Sequence, residues 1–125
     1  MPRQSIDIAS FTHANPIPGA SRLGPLLVSS VIAGRDPASS TVPDSAEAQY
    51  VNLFHHIVQV LTAAGGDWRH VGRITFFVPD IVFRDACNPI WIEHFPDPAS
   101  RPARHTQVVA GAKLATCEFI AYIDD

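Results

Sequence analysis

The segment from Leu114 to Ile123 constrains the fold more than any other stretch of the chain. Cys117, Phe119, Ala121 and Ile123 alternate with Glu118, Ile120 and Tyr122. Side chains on a strand point alternately to its two faces, so this strand is largely apolar on both. Helices from the same chain can cover one face. The other face needs a partner, and in a chain of 125 residues the simplest source is a second copy. Besides Cys117 and Tyr122, the only ionisable group in the segment is Glu118. A charge held in such a run must find a partner or neutralise. Arg104, in Ser100-Arg101-Pro102-Ala103-Arg104-His105-Thr106, falls in the preceding predicted strand and is its natural partner if the two strands lie side by side. The same two residues also make a site, because a guanidinium fork grips a carboxylate while a nearby glutamate orients or activates water. At this level an ion pair and a site remain alternatives.

The rest of the chain reads as alternating strands and helices. Pro16 and Pro18 each remove a backbone donor, so residues 12–19 are expected to form a loop. Leu26–Ile32 is short, rich in β-branched residues and bounded by Gly24-Pro25 and Gly34, which predicts a strand. Asp44-Ser45-Ala46-Glu47 has the form of a capping box with Asp44 as the cap. Tyr50, Phe54, Ile57, Val58 and Leu61 then fall on one helical face, and Gly65-Gly66 ends the helix. Arg73–Val78 predicts another strand, closed by Pro79-Asp80. A second helix is expected between Phe83 and Phe95; it either starts at Asn88 with Pro89 in its first turn or starts earlier and kinks. Strands at about 103–109 and 114–123 complete an α+β sandwich with helices on one face of a mixed sheet.

Composition narrows the function. Apolar residues make up 46% and charged residues 17%, which excludes general disorder and fits a chain that buries surface against copies of itself. The formal net charge is -3 and the nine Lys and Arg residues are scattered, so no footprint for nucleic acid or an anionic membrane is present. Cys87 and Cys117 lack CxxC spacing and read as free thiols. No apolar signal core follows Met1, and no stretch is long enough to span a bilayer; the expectation is a cytoplasmic protein. His55 and His56 diverge on a helix, and no HExxH or cysteine-rich spacing exists, so no metal is expected. Thr106 shares the strand face of Arg104, while His105 takes the other. Cys117, on the opposite face from Glu118, reads as a core residue.

Several phrases taken in order resemble one family. They are Val28-Ser29-Ser30-Val31-Ile32, Ala63-Ala64-Gly65-Gly66, Phe77-Val78-Pro79-Asp80, Asn88 with Trp91 and Phe95, Pro102-Ala103-Arg104, and Glu118 in the final strand. Together they resemble the Rid family, also called YjgF or reactive-intermediate deaminases, some of which carry an endoribonuclease label. The resemblance runs from the Gly19 region to Ile123 and implies one Rid-type domain over residues 1–125. It further implies a chorismate-mutase-like subunit with two helices on one face of a mixed sheet. Three such subunits form a homotrimer with a central sheet barrel and a cleft at each interface. By this resemblance Arg104 holds the carboxylate of a 2-imino or enamino acid and Glu118 positions the attacking water. Ser29, Ser30, Asn88 and Thr106 line the pocket. The implied activity is metal-independent and cofactor-free hydrolysis of a C=N bond, giving a 2-oxo acid and ammonia. The chain departs from the pattern at Pro16, where many close relatives of the archetypal deaminases have a tyrosine, at Ser30 in place of glycine, and at Thr106 in place of cysteine. These departures suggest a pathway-specific substrate, such as an aminomuconate-like compound, or a trimer that binds carboxylates without turnover. The family label alone suggests RNA cleavage, which the negative charge opposes.

Overall fold

A computed structural model describes residues 2–111 and 113–124 of the chain. In order the elements are β1 (Gln4–Ile6), β2 (Ala20–Leu23), β3 (Leu26–Ser29), β4 (Ile32–Ala33), α1 (Ala46–Ala63), β5 (Val71–Val78), α2 (Asn88–His94), β6 (Ala103–Val108) and β7 (Thr116–Tyr122). They form one seven-stranded mixed sheet in the order β1-β2-β3-β7-β5-β6, with β4 pairing β7 beyond the end of β3. Among the described residues only β5 and β6 run parallel, joined by a crossover that contains α2. Both helices pack on one face, which is the α+β arrangement expected from the sequence.

The core lies between that face and α1. Tyr50, Leu53, Phe54, Ile57, Val60 and Leu61 are fully buried against Leu27, Ile32, Ile74, Phe76, Cys117 and Phe119. Val58, assigned to the same helical face, is only half-buried. Trp91 and Phe95 carry α2 into this core, with the Trp91 ring 6.5 Å from that of Phe76. Removing such aromatic side chains from a core typically costs about 3–5 kcal/mol. Gln49 is buried on α1, where its Nε2 donates to the Pro43 carbonyl at 2.8 Å and its Oε1 accepts from the Ala115 amide at 3.0 Å. The helix thereby sets the start of β7. Gly34 follows β4 at a place where a Cβ would sit 2.7 Å from the Gln49 carbonyl oxygen, so glycine is what lets strand and helix approach.

Several local expectations are corrected. The cap of α1 is Ser45, whose hydroxyl accepts from the Ala48 amide at 3.0 Å; Asp44 lies outside the helix. Both types are good caps, and the residue adjoining the first helical turn takes the role. Gly65 ends the helix as expected, with φ +83°. The strand expected over Leu26–Ile32 is split at Ser30-Val31. Ser29 bridges the break by accepting the Phe119 amide on its Oγ at 2.8 Å, in place of a backbone carbonyl. Ser30 turns away, its amide donating to the Gly19 carbonyl at 2.9 Å and its hydroxyl to the Pro18 carbonyl at 2.7 Å. These bonds pin the loop at residues 12–19. For the second helix, the start at Asn88 is the correct alternative, and Pro89 occupies its first turn.

Among the described residues, the opposite face of the sheet carries no helix. Val28, Ile120 and Arg73 oppose one another across β3, β7 and β5, next to the Leu26–Tyr122 pair. Ile120 is 37% exposed and Tyr122 is 60% exposed. No helix of the described residues is long and apolar enough to cross a membrane.

Candidate functional site

Arg104 and Glu118 do not lie on neighbouring strands. β5 runs between β6 and β7, and the registers put the two residues on opposite faces of the sheet. Arg104 opposes Ile74, which opposes Phe119, so all three point toward the helices. Glu118 opposes Thr75, which opposes His105, and these three point away. The direct ion pair suggested by the sequence is therefore absent. Among the described residues the ion pairs are Arg69–Asp67, His70–Asp67 and Arg84–Asp85. Sequence periodicity gives the face of a residue once its strand is known, but not the order of strands, and the crossover through α2 inserts β5 between them.

One half of the candidate site surrounds Arg104. β6 is an edge strand, and Arg104 projects from it past the start of α2. Its Nη2 donates to Asn88 Oδ1 at 2.9 Å, and its guanidinium carbon stands 5.1 Å from the centre of the Trp91 ring. Among the described residues Asn88 is its hydrogen-bond partner, which leaves further N–H groups for a ligand. Thr106 opposes Phe76 and so shares this face, while His105 takes the other. Cys87 lies beneath, fully buried; burial pushes its thiol up to about 11, with the Arg104 charge opposing. Cys117 is raised further by burial, and both act as small apolar groups at neutral pH.

The other half surrounds Glu118 on the open face. It shares a cavity of about 150 Å³ with Val28, Ser29, Arg73, Thr75 and Ile120. Ser29 accepts the Phe119 amide here and keeps its own proton to donate. The hydroxyl of Ser30 is already given to Pro18, so this residue acts as a loop anchor. Larger cavities of about 480 and 410 Å³ lie elsewhere, one against Arg22 and Tyr122, the other against Trp68 and Arg101. Neither contains a residue expected from the sequence, so volume is a poor guide here.

A third centre was not visible in the sequence. His56 is fully buried on α1, with Nε2 donating to the Arg35 carbonyl at 2.8 Å and Nδ1 accepting from the Ser10 hydroxyl at 2.9 Å. This fixes the neutral tautomer, and burial lowers its pKa. His55 beside it is exposed, so the adjacent histidines diverge as expected. The partners of His56 lie 46 and 21 residues away, a spacing that no local pattern reveals.

The family model described as endoribonuclease L-PSP, which is the YjgF/Rid family, matches residues 9–119. The chain belongs to this family. Solved structures share its fold at low identity. RidA from the Antarctic bacterium Psychrobacter is 23% identical, with 96% of this chain and 99% of that one covered at a TM-score of 0.86. The YjgF product of E. coli is 22% identical, covering 95% and 98% at a TM-score of 0.84. E. coli TdcF, solved with bound serine, is 19% identical, covering 97% and 99% at a TM-score of 0.85. No protein of curated description matches the chain in sequence. At these identities the likeness of this Rid protein to its neighbours is one of fold.

Proposed function

We propose that this Rid-family chain is a deaminase that hydrolyses 2-imino or 2-enamino acids to 2-oxo acids and ammonia, in clefts between the subunits of a homotrimer. The observation that carries the reading is the division of charges. Arg104 is steadied by Asn88 and Trp91 on one face, and Glu118 stands in a cavity on the other. A site using both residues therefore takes Arg104, Asn88 and Thr106 from one copy, and Ser29 and Glu118 from the next. The exposed Leu26, Ile120 and Tyr122 supply the apolar surface that such an assembly covers.

In this mechanism Arg104 grips the carboxylate next to the imine carbon with charge-assisted hydrogen bonds of about 1.5–3 kcal/mol. An enamine first takes a proton on carbon and becomes the N-protonated imine. Glu118 accepts a proton as water adds to the imine carbon; the C–O bond forms and the C=N electron pair goes to nitrogen, which is protonated. The carbinolamine then loses ammonia as its C–N bond breaks, and release of the hydroxyl proton leaves the 2-oxo acid. The imine carbon is electrophilic, more so once its nitrogen is protonated, so positioning, water delivery and proton management suffice. The N-terminal loop near Ser30 lacks a tyrosine at Pro16, and this favours a pathway-specific substrate, such as an aminomuconate-like compound, as a second reading within the same chemistry.

The test is the rate at which purified protein speeds the loss of 2-imino acids generated in place by an amino-acid oxidase. Acceleration that disappears in Arg104→Ala supports the proposal. Affinity for 2-oxo acids without acceleration for any side chain would instead mark a carboxylate-binding trimer.

A further inference from the structure

The cavity that holds Glu118 also holds a cation. Arg73 stands on β5 two residues before Thr75, so both project from the face without helices. It opposes Ile120, which puts it one diagonal step from Glu118, ordinarily about 7–8 Å between the Cα atoms. Both charges line the same space of about 150 Å³, and neither takes part in an ion pair among the described residues. A more apolar cavity of about 290 Å³ lies next door, sharing Val28 and Ser29 and adding Arg3, Ile17 and Pro18.

We infer that Arg73 receives a second carboxylate, so that the substrates are 2-imino acids whose side chain itself ends in a carboxylate. The inference rests on the imine-hydrolysis reading above. In that reading the neighbouring copy covers the open face, and its Arg104 takes the carboxylate beside the imine carbon. Covering strips water from Arg73, and a dry guanidinium requires an anion. Glu118 cannot both neutralise Arg73 and act as the base for water. A side-chain carboxylate resolves the conflict, because it pairs with the Arg73 fork and leaves Glu118 to the water. An apolar side chain leaves the guanidinium unpaired. Sites built around a polar group reject analogues lacking its partner far more strongly than apolar pockets sort by size.

The experiment compares imino acids made in place from glutamate and from norvaline, which share a carbon chain of equal length, in wild type, Arg73→Met and Arg73→Lys. Calorimetry with 2-oxoglutarate and 2-oxopentanoate gives a readout independent of turnover. Wild type should favour the acidic imine at least tenfold in kcat/KM; Arg73→Met should lower that ratio at least tenfold, and Arg73→Lys should keep part of it. A wild type without preference, or a preference that survives in Arg73→Met, overturns the assignment while leaving imine hydrolysis intact. If no imine is consumed, imine hydrolysis fails. The role of Arg73 then stands if 2-oxoglutarate binds more tightly than 2-oxopentanoate and Arg73→Met erases the difference, and falls if it does not.

Discussion

The Arg104 guanidinium is tethered to Asn88 by one hydrogen bond of 2.9 Å that spans sixteen residues and joins the edge strand β6 to the first turn of α2. The bond is exposed and uses a neutral acceptor, so its contribution is about 1 kcal/mol. In Asn88→Ala the cation stays but loses its aim. KM for a carboxylated imine should rise about three- to tenfold, with a smaller change in kcat. Steady-state kinetics on the variant check this, and an unchanged KM would leave Asn88 as a helix start only.

Charges divided between two faces predict complementation. In the proposed trimer, Arg104→Ala and Glu118→Gln should each alone lose activity, the latter by about 10²–10⁴-fold in kcat. Refolded together in equal amounts, they should form mixed trimers in which about one cleft in four pairs an intact Arg104 with an intact Glu118. Recovery of about a quarter of wild-type activity is the expected result. No recovery in a mixture that sedimentation shows to be mixed trimers would mean that both residues act from the same copy.

A charge on the open face should separate the copies. Tyr122 is 60% exposed in the single chain and lies beside Leu26. In Tyr122→Glu a carboxylate enters the surface that the proposed trimer covers, so sedimentation at micromolar concentration should give a folded monomer, with the proposed imine hydrolysis lost. A wild-type chain that sediments as a monomer under the same conditions would remove the composite site altogether.

His56 gives stability a pH dependence of defined sign. Its pKa is lowered in the folded chain, first by burial and also by the charge of Arg35 and by His55, while the bond to the Arg35 carbonyl opposes the shift. The unfolded chain therefore binds a proton first as pH falls. This contribution is complete above the ordinary histidine value near 6.5 and is lost as pH drops below it toward the folded pKa. Melting temperature should decline below about pH 6.5 in wild type. His56→Gln should melt lower at pH 7.5 and show a shallower decline, and parallel curves for the two proteins would assign the effect to another group.

How far the sequence carried this fold depends on the kind of information each element holds. α1 was legible because Tyr50, Phe54, Ile57 and Leu61 repeat at the helical period, and its end because Gly65 takes a positive φ. Arg104, Asn88 and Thr106 do share one region, since face and helix start are local properties. β1 and β2 went unseen because they are three and four residues long and polar, each contributing a single buried residue, Ile6 and Ala20, to the core. The separation of Arg104 from Glu118 was hidden for a different reason. It depends on the position of β5, set by a crossover, and strand order leaves no trace in the periodicity of any one strand.

A sheet is a wall to the side chains rooted in it. Glu118 could join Arg104 on the helix side only by a one-residue slip of β7, which would drive Phe119 into water and a carboxylate into the core. In the proposed mechanism, chemistry that uses both charges belongs to the encounter between chains, and specific activity should fall on dilution even while every chain stays folded.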